Sequence, residues 1–189
     1  MKQSSTTAAT RENLAQAFWT LYQKKRIEQI RIHEITDLAG YHRATFYQYF
    51  QDIYDILDYI EQKLLDYVQD YALRNLNSPS LELIVQNFTE LYRTRGQELN
   101  LLLSEQGDPR FADKLKAALA PVWAQALHLP QREESQYIIE FTMSALLSTT
   151  ALWYKQNCQL PPQKLVQIIH PLIAQGILPV VQAMELTTP

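Results

Sequence analysis

At 189 residues, with 47% apolar and 20% charged side chains, the chain has the composition of a folded, soluble protein of one or two small domains. Nine prolines against four glycines, in a background rich in alanine, leucine and glutamine, disfavour a turn-dense sheet architecture, and the fold class expected is all-α. The net charge of −3 speaks weakly against a polyanion-binding protein, no apolar stretch is long enough to span a membrane, and the single cysteine, Cys158, excludes an internal disulfide, compatible with a reducing cytoplasm.

Met1 to Ala9 are polar, lack the apolar core of a secretory signal, and are expected to form a disordered arm over residues 1–9. From Thr10, a plausible N-cap, to Lys25, the residues Leu14, Phe18, Leu21 and Tyr22 recur on one helical face. Asn13 stands where a capping box would place glutamate. A short helix follows at Ile32 to Ala39, with Gly40 where helices commonly end in the left-handed conformation. Over Arg43 to Phe50, Phe46 and Phe50 lie four apart and point inward, which turns Arg43, Ala44, Tyr47 and Gln48 outward. Asp52 is placed to cap a longer helix in which Ile53, Leu57, Ile60, Leu64, Val68 and Tyr71 keep step as far as about Asn75.

Asn77-Ser78-Pro79-Ser80 reads as a break. Helices are then expected at 80–95 and 97–104, from Gly107-Asp108-Pro109 to about Leu127, and at 131–157, this last one apolar around most of its circumference between Ile138 and Tyr154. A helix of that kind must be covered on all sides, which a monomer could not do, so a dimer is expected. The ninth helix starts after Pro161-Pro162, carries Leu165, Ile168, Ile169 and Leu172 in step, is kinked by Pro171 and ends at Gly176.

Two short helices joined through Gly40, with one helix before and a longer one after, form a helix-turn-helix. Its second helix must be short, held by apolar side chains and armed outward with donors for phosphates and base edges, and Arg43 to Phe50 meets that demand. The run Ile35-Thr36-Asp37-Leu38-Ala39-Gly40-Tyr41-His42-Arg43-Ala44-Thr45-Phe46-Tyr47-Gln48-Tyr49-Phe50 closely resembles the signature of the tetracycline-repressor (TetR/AcrR) family, Ile-Ala-x-x-Ala-Gly-Val-Ser-x-Gly-Thr-x-Tyr-x-Tyr-Phe. Ile35, Ala39-Gly40, Thr45, Tyr47 and Tyr49-Phe50 match in register. The resemblance implies nine helices, a DNA-binding head at 10–52 and a regulatory and dimerisation body at 53–189 whose last two helices pair with those of a second subunit. Three positions depart from the signature: His42 replaces the usual serine cap, Ile53 a common lysine, and Arg31 a capping threonine.

By that resemblance, Thr45 and Tyr47 would bond phosphates while Arg43, Ala44 and Gln48 face bases, arginine suiting guanine and glutamine adenine. His33 would touch a base, His42 a phosphate or base, and Arg31 would restore positive charge. Lys24, Lys25 and Arg26 read either as a phosphate clamp or as an ordinary basic helix end. The aromatics Tyr67, Phe88, Tyr92, Trp123, Phe141 and Trp153 would surround an effector pocket if they are not plain core.

Residues 1–50 hold seven Lys/Arg against four Asp/Glu, and the remainder ten against 16. A basic head on an acidic body would show this asymmetry, and so would compositional drift on a solvated surface. The histidines His33, His42, His128 and His170 have no metal-ligand spacing, Cys158 has no neighbouring base, and no glycine-rich phosphate loop is present, so neither catalysis nor a metal nor a cofactor is expected. The expected function is a cytoplasmic homodimeric repressor that binds double-stranded DNA at a palindrome and is released by a small molecule. The alternative is an adaptor of the same fold whose body binds a protein partner.

Overall fold

A computed structural model describes residues 2–74 and 81–186, and among them the regular structure is eight α-helices and one 3₁₀ turn, with no strand. The helices are α1 (Lys2–Tyr22), α2 (Ile32–Ala39), α3 (Arg43–Tyr47), α4 (Ile53–Arg74), α5 (Leu81–Leu102), α6 (Phe111–Ala126), α7 (Glu133–Lys155) and α8 (Pro162–Leu186). The chain separates into two compact units, Met1–Leu64 and Leu65–Pro189. The break read at Asn77-Ser78-Pro79-Ser80 lies outside the described residues. No helix among the described residues is long and apolar enough to cross a membrane.

In the first unit α1 buries Leu14, Phe18 and Tyr22 completely, on the face that their spacing marks. The helix begins at Lys2, so the polar arm expected over 1–9 is helical from that residue on, and Thr10 is a buried interior residue where an N-cap was expected. No proline or glycine interrupts residues 2–22, and Ala8-Ala9 favour continuation. A 3₁₀ turn at Ile27–Gln29 buries Ile27 and leads into α2. At the other end of the unit, Asp52 caps α4 as its position predicts, its Oδ1 accepting the backbone N–H groups of Tyr54 (2.8 Å) and Asp55 (2.9 Å). The Arg11 guanidinium lies 4.1 Å from the centre of the Tyr59 ring and 5.3 Å from that of Phe50, a cation–π stack that fastens α1 to the first half of α4.

In the second unit α5 is the hub, packed chiefly against α8 and α7, while α6 packs on α7. The sequence pattern divides α5 at Gly96, but the structure runs one helix through it, which reduces the expected nine helices to eight. The reason is a close approach. A Cβ on Gly96 would sit 2.5 Å from Cδ2 and Cε2 of Tyr154 on α7, so the missing side chain is what admits the ring. Gly96→Ala is therefore expected to destabilise the fold. The gain of about 1 kcal/mol from helix propensity is outweighed by an overpacking cost of about 1–3 kcal/mol. Urea unfolding checks this, and in a Tyr154→Ala background the same substitution should become neutral or stabilising.

The last helix is also longer than its pattern implies. It passes through Pro171, Gly176 and Pro179 to Leu186, and Gly176 terminates nothing. Between α7 and α8 the chain turns at Asn157 and Cys158, both left-handed with φ of 55° and 53°. Trp153, buried on α7, closes this connection by donating its indole N–H to the Leu160 carbonyl at 2.7 Å.

Candidate nucleic-acid interface

The turn between α2 and α3 is set by Gly40, whose φ of 74° is costly for any residue with a Cβ. Its N–H donates to the Asp37 carbonyl (3.3 Å) and that of Tyr41 to Thr36 (2.9 Å), closing the end of α2. Two further contacts tie the helix pair to α1 and to the segment that follows it. Asn13 donates from Nδ2 to the Tyr41 hydroxyl at 3.0 Å; this bond and a second with Thr10 hold the Tyr41 pKa below the ordinary phenol value. Neither role is visible from local pattern, since it joins residues 28 positions apart.

Lys25 makes the second contact, reaching both carboxylate oxygens of Glu34 at 2.6 and 2.7 Å. Glu34 also accepts the Arg31 backbone N–H at 2.9 Å, one half of a capping box. The Arg31 side chain does not cap α2; its Nη1 donates to the Glu28 carbonyl at 2.8 Å. Of the three basic residues at this helix end, Lys25 is thus engaged internally while Lys24 and Arg26 are exposed. The bonds from Lys25 and then the Arg31 amide hold the Glu34 carboxyl below its usual pKa. A carboxyl depressed in the folded state stabilises above its unfolded pKa of about 4.3, and that contribution vanishes as pH falls through the folded value. Glu34→Gln should accordingly lower the melting temperature at neutral pH and have little effect near pH 3, as thermal scans across pH would read.

α3 is anchored by two rings, Phe46 within it and Phe50 just beyond its end. Phe46 is fully buried and Phe50 almost so, with centroids 5.7 Å apart. This anchoring leaves His42, Arg43, Ala44, Tyr47 and Gln48 exposed and Thr45 half-buried, while Arg31 and His33 are exposed at the start of α2. His42 makes no side-chain cap bond to α3. Arg43 and Tyr47 are brought together, Nη2 donating to the tyrosine hydroxyl at 3.0 Å with the guanidinium 5.6 Å from the ring centre. The face so formed holds a planar cation, a hydroxyl, a carboxamide and a methyl group, the donor and apolar types that read base edges and phosphates.

The six aromatics singled out in the body divide. Phe88, Tyr92, Trp123 and Trp153 are buried, whereas Tyr67 and Phe141 are 39% and 68% exposed. Burial pushes the Tyr92 hydroxyl up to about 12. None of the six lines the larger described cleft, an open space of about 530 Å³ among the end of α4, α5 and the start of α8 that includes Tyr71, Gln86, Glu90 and Gln167.

Comparison with known proteins bears on this arrangement. Residues 80–175 match a TetR family model described as "Transcriptional regulator C-terminal region". A TetR transcriptional regulator from Streptococcus agalactiae 2603V superimposes with a TM-score of 0.71 at 17% identity, over 92% of this chain and 98% of that one. The fatty acid degradation regulator FadR from Bacillus halodurans gives 0.68 at 15%, over 89% and 96%, and a tetR-family regulator from Streptomyces coelicolor 0.67 at 18%, over 92% and 84%. At these identities the likeness is one of fold. No curated protein matches the sequence.

Proposed function

The chain belongs to the TetR family of transcriptional regulators, and from that premise we propose that it is a homodimeric repressor that binds a palindromic operator and is released by a small-molecule effector. The observation that carries the reading is the α3 face: exposed Arg43, Ala44, Tyr47 and Gln48 on a helix anchored by Phe46 and Phe50 and set by the Gly40 turn. In the proposed complex Arg43 reads guanine, Gln48 adenine and Ala44 a thymine methyl, while Thr45 and Tyr47 hold phosphates. Arg31, His33 and His42 add contacts from the ends of α2 and α3. A two-fold dimer would present two such helices to successive major grooves, about one helical turn apart.

The dimer is supported by what α7 and α8 leave uncovered. Tyr137, Phe141 and Leu152 on α7, and Ile168 and Leu172 on α8, are each more than half exposed, a concentration of large apolar side chains that a second copy would cover. On this reading an effector bound in the body shifts the population of head spacings away from the one that fits the operator. The protein then works in the cytoplasm without catalysing a reaction and without a cofactor or metal.

Selection of genomic fragments by the purified protein at low and physiological salt, followed by footprinting, tests the reading. An enriched inverted repeat, weakened on Arg43→Ala, is the expected result. Retention that is sequence-blind and vanishes with salt would overturn it.

A further inference from the structure

The cleft in the second unit has a chemistry of its own. Its volume, about 530 Å³, falls in the range of small-molecule sites. Four carboxamides line it, Gln86 and Asn87 from α5 and Gln163 and Gln167 from α8. Each carries both a donor and an acceptor. Among the described lining residues the one charged group is Glu90, and its carboxylate is paired with Arg93 through bonds of 2.6 and 2.8 Å, which leave lone pairs to accept. Half-buried Tyr71, stacked on Tyr67 with ring centroids 6.2 Å apart, adds an aromatic ring at the edge.

We infer that this cleft binds an uncharged, hydroxyl-rich small molecule of the sugar or polyol class. Three other classes fit the lining less well. An anion needs a lysine, arginine or histidine, and none is among the described lining residues; a cation needs an uncompensated carboxylate, and Glu90 already has its arginine. An acyl chain needs a continuous apolar wall, and beside Tyr71, Pro162 and Val166 the described lining is carboxamide, hydroxyl and carboxylate, groups that an alkyl chain cannot hydrogen-bond. A hydroxyl both donates and accepts, so it satisfies either end of an amide, adjacent hydroxyls can bridge the two oxygens of Glu90, and the C–H face of a sugar ring stacks on an aromatic such as Tyr71. This site stands apart from the buried aromatics Phe88, Tyr92, Trp123 and Trp153. The inference rests on the repressor reading only for its consequence, control of operator binding, and not for binding itself.

The test uses the full chain and saturation-transfer NMR with sorbitol, glucose and maltose, with decanoate and spermidine as comparators. At least one of the three polyols is expected to bind, and Gln163→Leu combined with Gln167→Leu, both at exposed positions, should weaken it tenfold or more without moving the unfolding midpoint. The inference is overturned if none of the three shows transfer, if transfer is unchanged in the double variant, or if decanoate or spermidine is the ligand whose binding that variant removes. Operator affinity is read in parallel. Polyol binding that leaves it unchanged upholds the site and removes the release mechanism assigned to it, whereas intact operator binding without polyol binding removes this inference alone.

Discussion

Arg43→Ala is expected to weaken operator binding by about 1–3 kcal/mol, the range for one bidentate base contact, and to relax discrimination at a single base pair of each half-site. Tyr47→Ala should act differently. It removes a proposed phosphate contact, lowering affinity for all sequences alike, and it also frees the Arg43 guanidinium that the tyrosine hydroxyl holds at 3.0 Å. The two losses are therefore coupled, and the double variant should cost less than the sum of the single ones. Both side chains are exposed, so melting temperature should scarcely change, which separates loss of contact from loss of fold. Fluorescence anisotropy over a salt series measures all of these quantities. Unchanged affinity for Arg43→Ala would dismiss α3 as the reading element.

Leu172→Glu and Phe141→Glu are expected to turn the proposed dimer into a monomer. In the isolated chain these side chains are 70% and 68% exposed, so a carboxylate at either position costs the monomer little. In a two-fold seam each substitution occurs twice, and a carboxylate carried into an apolar interface without a partner is penalised by several kcal/mol. Sedimentation at micromolar concentration should show a single light species for either variant and a dimer for the parent. Operator affinity should fall with it, because one head alone loses the effective concentration that the second half-site supplies. Persistence of the dimer in both variants would place the seam elsewhere.

Much of the head could be read from local signals because the physics that shapes it is local. Gly40 must be left-handed, Phe46 and Phe50 lie one turn apart, and Asp52 precedes a long helical pattern; each is a statement about neighbours in sequence. What escaped was non-local. Gly96 looks like a boundary unless one knows that Tyr154 lies against it, 58 positions later, and whether Lys25 is a phosphate ligand or an ordinary basic helix end stays open until Glu34 is seen to hold it. The body aromatics divide for a related reason. Helical period assigns Phe141 and Trp153 to faces of α7, but which face is covered depends on the helices that pack there, so one emerged exposed and the other buried. The polar cleft gave no signal at all, since its lining comes from three helices and consists of residues that are individually ordinary surface choices.

The passage of α8 through two prolines bears on how this helix opens. Pro171 and Pro179 have no amide hydrogen, so the carbonyls of Gln167 and Gln175 lack their usual partner one turn on. The ladder is thus cut into three stretches that need not unravel together. Amide exchange along α8 should register as separate steps divided at these prolines, each with its own opening free energy, and not as one cooperative unit. Ile168 and Leu172 straddle the first cut. A second subunit docking there would clamp two stretches at once, and slower exchange on both sides of Pro171 as protein concentration rises would be the mark of assembly written into the backbone.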